Sequence, residues 1–153
     1  MILDSNVWLD IVLFDDPVSR PIHQLLCDGR LEAVIDARCL DELERVLQYP
    51  QFTRFGHDWQ AQLARVTALT RRHADDLPSA RAATLPRCAD RDDQKFLELA
   101  CDAQAAWLIS KDRAVLKLAS RIRARFGYRI ATPERFLAAI ASEADAAPLA
   151  CEA

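Results

Sequence analysis

At 153 residues, with 51% hydrophobic and 28% charged residues, the chain has the make-up of one soluble globular domain with a core of its own. Its longest apolar runs, "AAWLI" and "FLAAIA", fall far short of the roughly 20 residues of a membrane span. The net charge of −3 does not mark an obvious nucleic-acid binder, and only three glycines leave no Gly-rich phosphate loop.

"MIL" at the N-terminus reads as a brief strand that runs into Asp4, and "NVWLDIVL" after it as helical. A helix is expected over 18–28, where Ile22, Leu25 and Leu26 share a face, and "LEAVI" (31–35) is a strand. Asp36 then stands where an N-cap belongs, before a helix over 37–48 with Leu40, Leu43, Val46 and Leu47 on one side. A further amphipathic helix over 57–73 carries Trp59, Leu63, Val66 and Leu69, and a loop with Pro78 and Pro86 follows. Residues 91–105 form a helix with Phe96, Leu99, Ala100 and Ala103 at helical spacing. "AWLI" is a strand, 113–126 a basic helix and "YRIA" a last strand. Thr132-Pro133-Glu134 opens a final helix that ends near Ala141, so 142–153 is expected to be a disordered tail.

Strands separated by helices imply an α/β fold, a parallel sheet with helices on both faces, and its working crevice lies at the carboxyl ends of the strands. Acids collect at those places: Asp4 after the first strand, "DELE" (41–44) early in a helix, "DRDD" (90–93) at a helix start, and Asp112 three residues past "WLI". Each of these acids, taken singly, also serves as a helix cap or a solvated residue. Brought together, they repel and raise one another's pKa, and a shared hard cation such as Mg2+ or Mn2+ removes that cost. Such a metal lowers the pKa of a bound water and holds a phosphate for in-line attack. The helical pattern does not choose between Asp92 and Asp93, or between Glu42 and Glu44.

The charge is uneven along the chain. Residues 1–60 hold eleven acids and five bases, whereas 111–129 holds seven bases and one acid, Asp112. Lys111, Arg113, Lys117 and Arg121 are candidate RNA-phosphate contacts, the last three spaced i, i+4, i+8 as one helical stripe. The five cysteines include no C-x-x-C pair and read as small buried thiols. The histidines fall outside every motif, and the three tryptophans read as core.

"ILDSNVWL", "CLDELERVLQYPQF", "DRDDQKFLELA", "WLISKDRAVLKL" and "IATPERFL" together resemble, in order, the motifs of the PIN-domain nucleases, and the third resembles the signature of one bacterial branch. The resemblance runs over 1–141 and implies a PIN-like three-layer α/β/α sandwich around a central parallel sheet of four to five strands. It implies a Mg2+- or Mn2+-dependent endoribonuclease, the toxin of a toxin–antitoxin pair; a cytoplasmic location is expected because the N-terminus shows no basic region followed by an apolar stretch and a cleavage site. The catalytic residues it carries over are Asp4, Glu42, Asp93 and Asp112, with Asp4, Asp93 and Asp112 on the metal and Asn6, Ser110 and Asp92 in support. Asp93 is matched because it stands seven residues before Ala100, with Asp92 and Asp90 left as alternatives. Ser5 and Ser110 stand where the family usually has Thr, and Arg91 replaces a usual proline. The partners considered are an RNA substrate, an antitoxin protein and a second copy of the chain as a homodimer, with no membrane. Two other readings are weighed. One is a PIN fold that has lost cleavage and only binds RNA or protein. The other is an aspartate-based phosphatase, whose pattern needs a second aspartate where Asn6 stands.

Overall fold

A computed structural model describes residues 1–54, 56–74 and 77–146, with the side chains of 145 and 146 left aside. Its elements in chain order are β1 (Ile2–Leu3), α1 (Ser5–Leu9), a π-helical turn (Asp10–Phe14), α2 (Arg20–Cys27), β2 (Ala33–Ile35), α3 (Ala37–Leu47) and the short α4 (Pro50–Thr53). These are followed by α5 (Trp59–Leu69), β3 (Thr70–Arg72), a 3-10 turn (Ala82–Thr84), α6 (Gln94–Asp102), β4 (Trp107–Ile109), α7 (Arg113–Leu116), α8 (Ala119–Phe126), β5 (Arg129–Ala131) and α9 (Pro133–Ala146).

All strand pairings are parallel, as expected for an α/β chain in which helices intervene between strands. One sheet has the order β1-β4-β5, the other β2-β3. The two abut where the Val34 N–H donates to the Met1 carbonyl (2.9 Å), so the strands lie in the order β3-β2-β1-β4-β5. The expected single sheet of four to five strands is therefore present as two pieces joined at that bond. Strand order reverses direction at β1, and a ligand crevice is expected beyond the carboxyl ends of β1 and β4.

β1, β2 and most of β4 and β5 are buried on both faces, which accounts for their apolar runs, whereas β3 is exposed at Arg71 and Arg72. Trp8, Phe96, Phe136, Leu43, Leu97 and Ile122 are among the large side chains fully buried around them. Trp107 packs edge-on against Phe136 (5.3 Å between rings) and lies under the Arg129 guanidinium, so it is part of the packing. Cys39, Cys88 and Cys101 are buried, Cys27 is exposed, and Cys151 lies outside the described residues.

Four expectations are corrected. The helix expected over 57–73 stops at Leu69, because Thr70–Arg72 pairs in register with Ala33–Ile35 as an edge strand. The helix expected over 91–105 begins only at Gln94, leaving 90–93 as a turn. The basic helix is two helices, with Lys117 and Leu118 in a turn between them, and it ends where Gly127 takes a left-handed conformation (φ 88°). The last helix runs to Ala146, so 142–146 are not a tail. The run "ASEADA" favours helix, and Glu143 accepts a hydrogen bond from Arg129. Residues 147–153 lie outside the described residues. Among the described residues, no helix is long and apolar enough to cross a membrane.

Candidate metal centre

Asp4 is the first residue past β1. Its N–H still donates to the Ile109 carbonyl (3.0 Å), and the chain then turns into α1. The carboxylate is buried, 3% exposed. Oδ1 caps α1 by accepting from the Val7 N–H (2.9 Å), and Oδ2 accepts from the Lys111 N–H (3.3 Å). Burial pushes its pKa up to about 6, against the hydrogen bonds from Ser110, Val7 and Lys111 and with the help of the Asp112 charge. Asp4 is thus a cap and a member of an acidic group at once.

Asp112 caps α7 in the same way. Both of its hydrogen bonds, from the N–H groups of Ala114 (2.6 Å) and Val115 (3.4 Å), go to Oδ1 and leave Oδ2 outside the cap. Ser110 lies between the two acids and is wholly buried. Its hydroxyl accepts from the Asp112 N–H (3.0 Å) and donates to Asp4, so it links the ends of β1 and β4.

Glu42 projects from the second turn of α3. Its Oε1 accepts from the Ser5 hydroxyl (2.8 Å), and its buried Oε2 forms an ion pair with the Lys95 ammonium. Lys95 also donates to the Asp92 carbonyl, which ties α3 to the start of α6.

Asp93 stands at the N-terminus of α6 but makes no capping hydrogen bond. Partial burial pushes its pKa up to about 6, with the charges of Asp112, Asp90, Asp4 and Glu42 adding in that order. The alternatives are placed differently. Asp92 is exposed, and the exposed Asp90 holds the turn by accepting from the Asp92 N–H (2.9 Å). Asp93 is therefore the acid of this turn that senses the other three.

Asp4, Glu42 and Asp112 thus lie close enough to Asp93 for their charges to act on it, and the four acids come together from four separate segments. Among the described residues, no three acidic, imidazole or thiol groups stand at ligating spacing, so the acids share the crevice without closing on one point. The donor set is hard oxygen with a surplus of negative charge, and Lys95 is the cation that meets it. That chemistry fits Mg2+ or Mn2+.

The other predicted residues fall in varied places. Asn6 is exposed on α1 and makes none of the hydrogen bonds of the cluster, whereas its neighbour Ser5 holds Glu42. The Lys111 ammonium is not an open phosphate contact. It donates to Asp10 Oδ2 (2.7 Å), and that bond raises its pKa and ties the loop after β4 to the π-helical turn. Arg113, Lys117 and Arg121 are exposed, but the turn at 117–118 breaks the continuous stripe. Sequence reasoning missed Ser5, Lys95 and the Asp10–Lys111 pair. The signals were a hydroxyl kept at position 5 and a lysine two residues after Asp93.

A family model described as PIN domain matches residues 1–114. No curated protein and no solved structure matches the chain.

Proposed function

The chain belongs to the PIN-domain family, and from that premise we propose that it is a Mg2+- or Mn2+-dependent endoribonuclease, the toxin of a toxin–antitoxin pair. PIN domains are generally nucleases and typically use divalent cations. The observation that supports the reading best is the mutual repulsion of four acids in one crevice at the point where strand order reverses.

Asp4, Asp93 and Asp112 would hold the cation. When bound, it supplies an acidified water and a counter-charge for the phosphate. The chain's own residues do the rest. Ser110 fixes the spacing of Asp4 and Asp112. Ser5 and Lys95 hold the Glu42 carboxylate in place, where it can accept a hydrogen bond from the attacking water and orient it. A phosphorus–oxygen bond forms to that water as the bond to the leaving ribose oxygen breaks. The water proton ends on the leaving oxygen. The toxin role rests on the likeness of "DRDDQKFLELA" to the bacterial branch, and an antitoxin protein is the partner it implies.

The test is cleavage of a single-stranded RNA by the purified chain in Mn2+, in Mg2+ and in EDTA. Asp4→Asn and Asp112→Asn should fold and lose metal-dependent cleavage. If both cut at the wild-type rate, the assignment is wrong. Induction in a bacterial host should halt growth for the wild type and not for Asp112→Asn, and growth unaffected by either would remove the toxin role.

A further inference from the structure

The acid cluster repels the very phosphates it is proposed to cleave, so some nearby cations must hold the RNA strand. The predicted basic stretch does not supply them at the crevice, because Lys111 is bound to Asp10 and the helical stripe is broken. A second group of cations lies on the segment leading into Asp93 and α6. A cavity of about 510 Å³ opens between the 3-10 turn, the loop after it and α6. Arg87 and Arg91 are on its wall, both exposed and neither ion-paired with any described residue. Leu85 and the buried Cys88 form its apolar side, and Gln94 and Glu98 its polar floor.

The cavity borders the metal centre. Cys88 lies close enough to Asp93, Asp112 and Asp90 that their charges help push its thiol up, alongside its burial. Gln94 is fixed there because its Oε1 accepts from the Cys88 N–H (2.7 Å), which leaves its amide N–H groups to donate. Glu98 is fixed by Arg38, whose guanidinium binds Glu98 Oε2 (2.6 Å). The space is within the size range of small-ligand sites and suits one nucleotide rather than a duplex. Single-stranded RNA is read in this way, by a splayed base on an apolar wall with its edge on fixed polar groups.

We propose that this cavity is the binding subsite for the nucleotide next to the scissile phosphate, with Arg87 and Arg91 on the strand's phosphates. The proposal rests on the ribonuclease reading above.

The test is fluorescence anisotropy of the full-length protein with a fluorescein-labelled single-stranded RNA of mixed sequence in Ca2+, over a series of salt concentrations, with cleavage in Mn2+ measured in parallel. Arg87→Ala/Arg91→Ala should weaken binding about tenfold and make the slope of log affinity on log salt shallower by about 1.4, for two lost single-strand contacts. Arg87→Lys/Arg91→Lys should recover most of the slope. Arg30→Ala/Arg45→Ala, which removes equal charge elsewhere, should change neither quantity by as much. If the wild type cleaves and binds RNA, and the Arg87/Arg91 double variant keeps the wild-type affinity and slope, the subsite is wrong while the ribonuclease reading stands. If the wild type neither binds nor cleaves RNA, both fall.

Discussion

Asp4→Asn should make the metal-free protein more stable while removing its cleavage activity. Burial of the Asp4 carboxylate raises its pKa from 3.8 to about 6. That rise corresponds to about 3 kcal/mol against the charged form. At pH 7.5 the group is ionised in both the folded and the unfolded chain, so the whole penalty acts. As the pH falls below about 6 the folded protein takes up a proton that the unfolded chain still lacks, so stability recovers between about pH 6 and 4. Asparagine removes the charge and keeps an oxygen for the Val7 N–H, but it gives up the acceptor for the Lys111 N–H at a cost of about 1 kcal/mol. The net gain at pH 7.5 is then about 2 kcal/mol, or ~4–8 °C in Tm for a chain of this size. Thermal and urea unfolding in EDTA at pH 7.5 and 4.5 would measure it. A variant no more stable than the wild type at pH 7.5, or equally stabilised at both pH values, would refute the reasoning.

Three further outcomes are expected. Ser110→Ala breaks the link between Asp4 and the Asp112 N–H and should lower Mn2+-dependent cleavage ~10–100-fold with the fold retained by circular dichroism; an unchanged rate would show that the link does not position the acids. Lys95→Met strands the part-buried Glu42 carboxylate and should cost about 3 kcal/mol in urea unfolding, with most of it recovered by Lys95→Arg; a loss of the same size in both variants would point to packing instead of charge. Cleavage at subsaturating Mn2+ should climb as pH rises through about 6, because Asp4 and Asp93 must shed their protons to bind metal; a flat profile from pH 5 to 7.5 would contradict this.

The parts of the fold legible in the sequence were those with a local physical cause. Asp4 and Asp36 each directly follow a short apolar strand and cap the next helix, so strand end and helix start meet at a single residue, and Asp112 caps its helix two residues further past its strand. β3 was hidden because the amphipathic period of α5 runs into Thr70 without a break, and Arg71 and Arg72 are exposed at the sheet edge with no apolar alternation to mark them. The break at 117–118 was hidden because Arg113, Lys117 and Arg121 keep helical spacing across it.

The site was legible only in outline. Spacing found which acids lie near strand ends, but its choice among Asp90, Asp92 and Asp93 rested on likeness to a family. The structure separates these three by burial and by which charges Asp93 feels. Contacts such as Ser5 to Glu42, 37 residues apart, carry no local pattern. Lys111 looked like an open cation because its partner, Asp10, lies in a turn that sequence periodicity reads as ordinary helix.

The central claim is that Asp4, Asp93 and Asp112 together bind a divalent cation. Calorimetric titration of Mn2+ into the chelator-treated protein at pH 7.5 tests it most directly. Saturable binding in the wild type, weakened at pH 5 and lost in Asp93→Asn and Asp112→Asn, is the predicted result. No binding heat in the wild type, or equal binding in both variants, would contradict it.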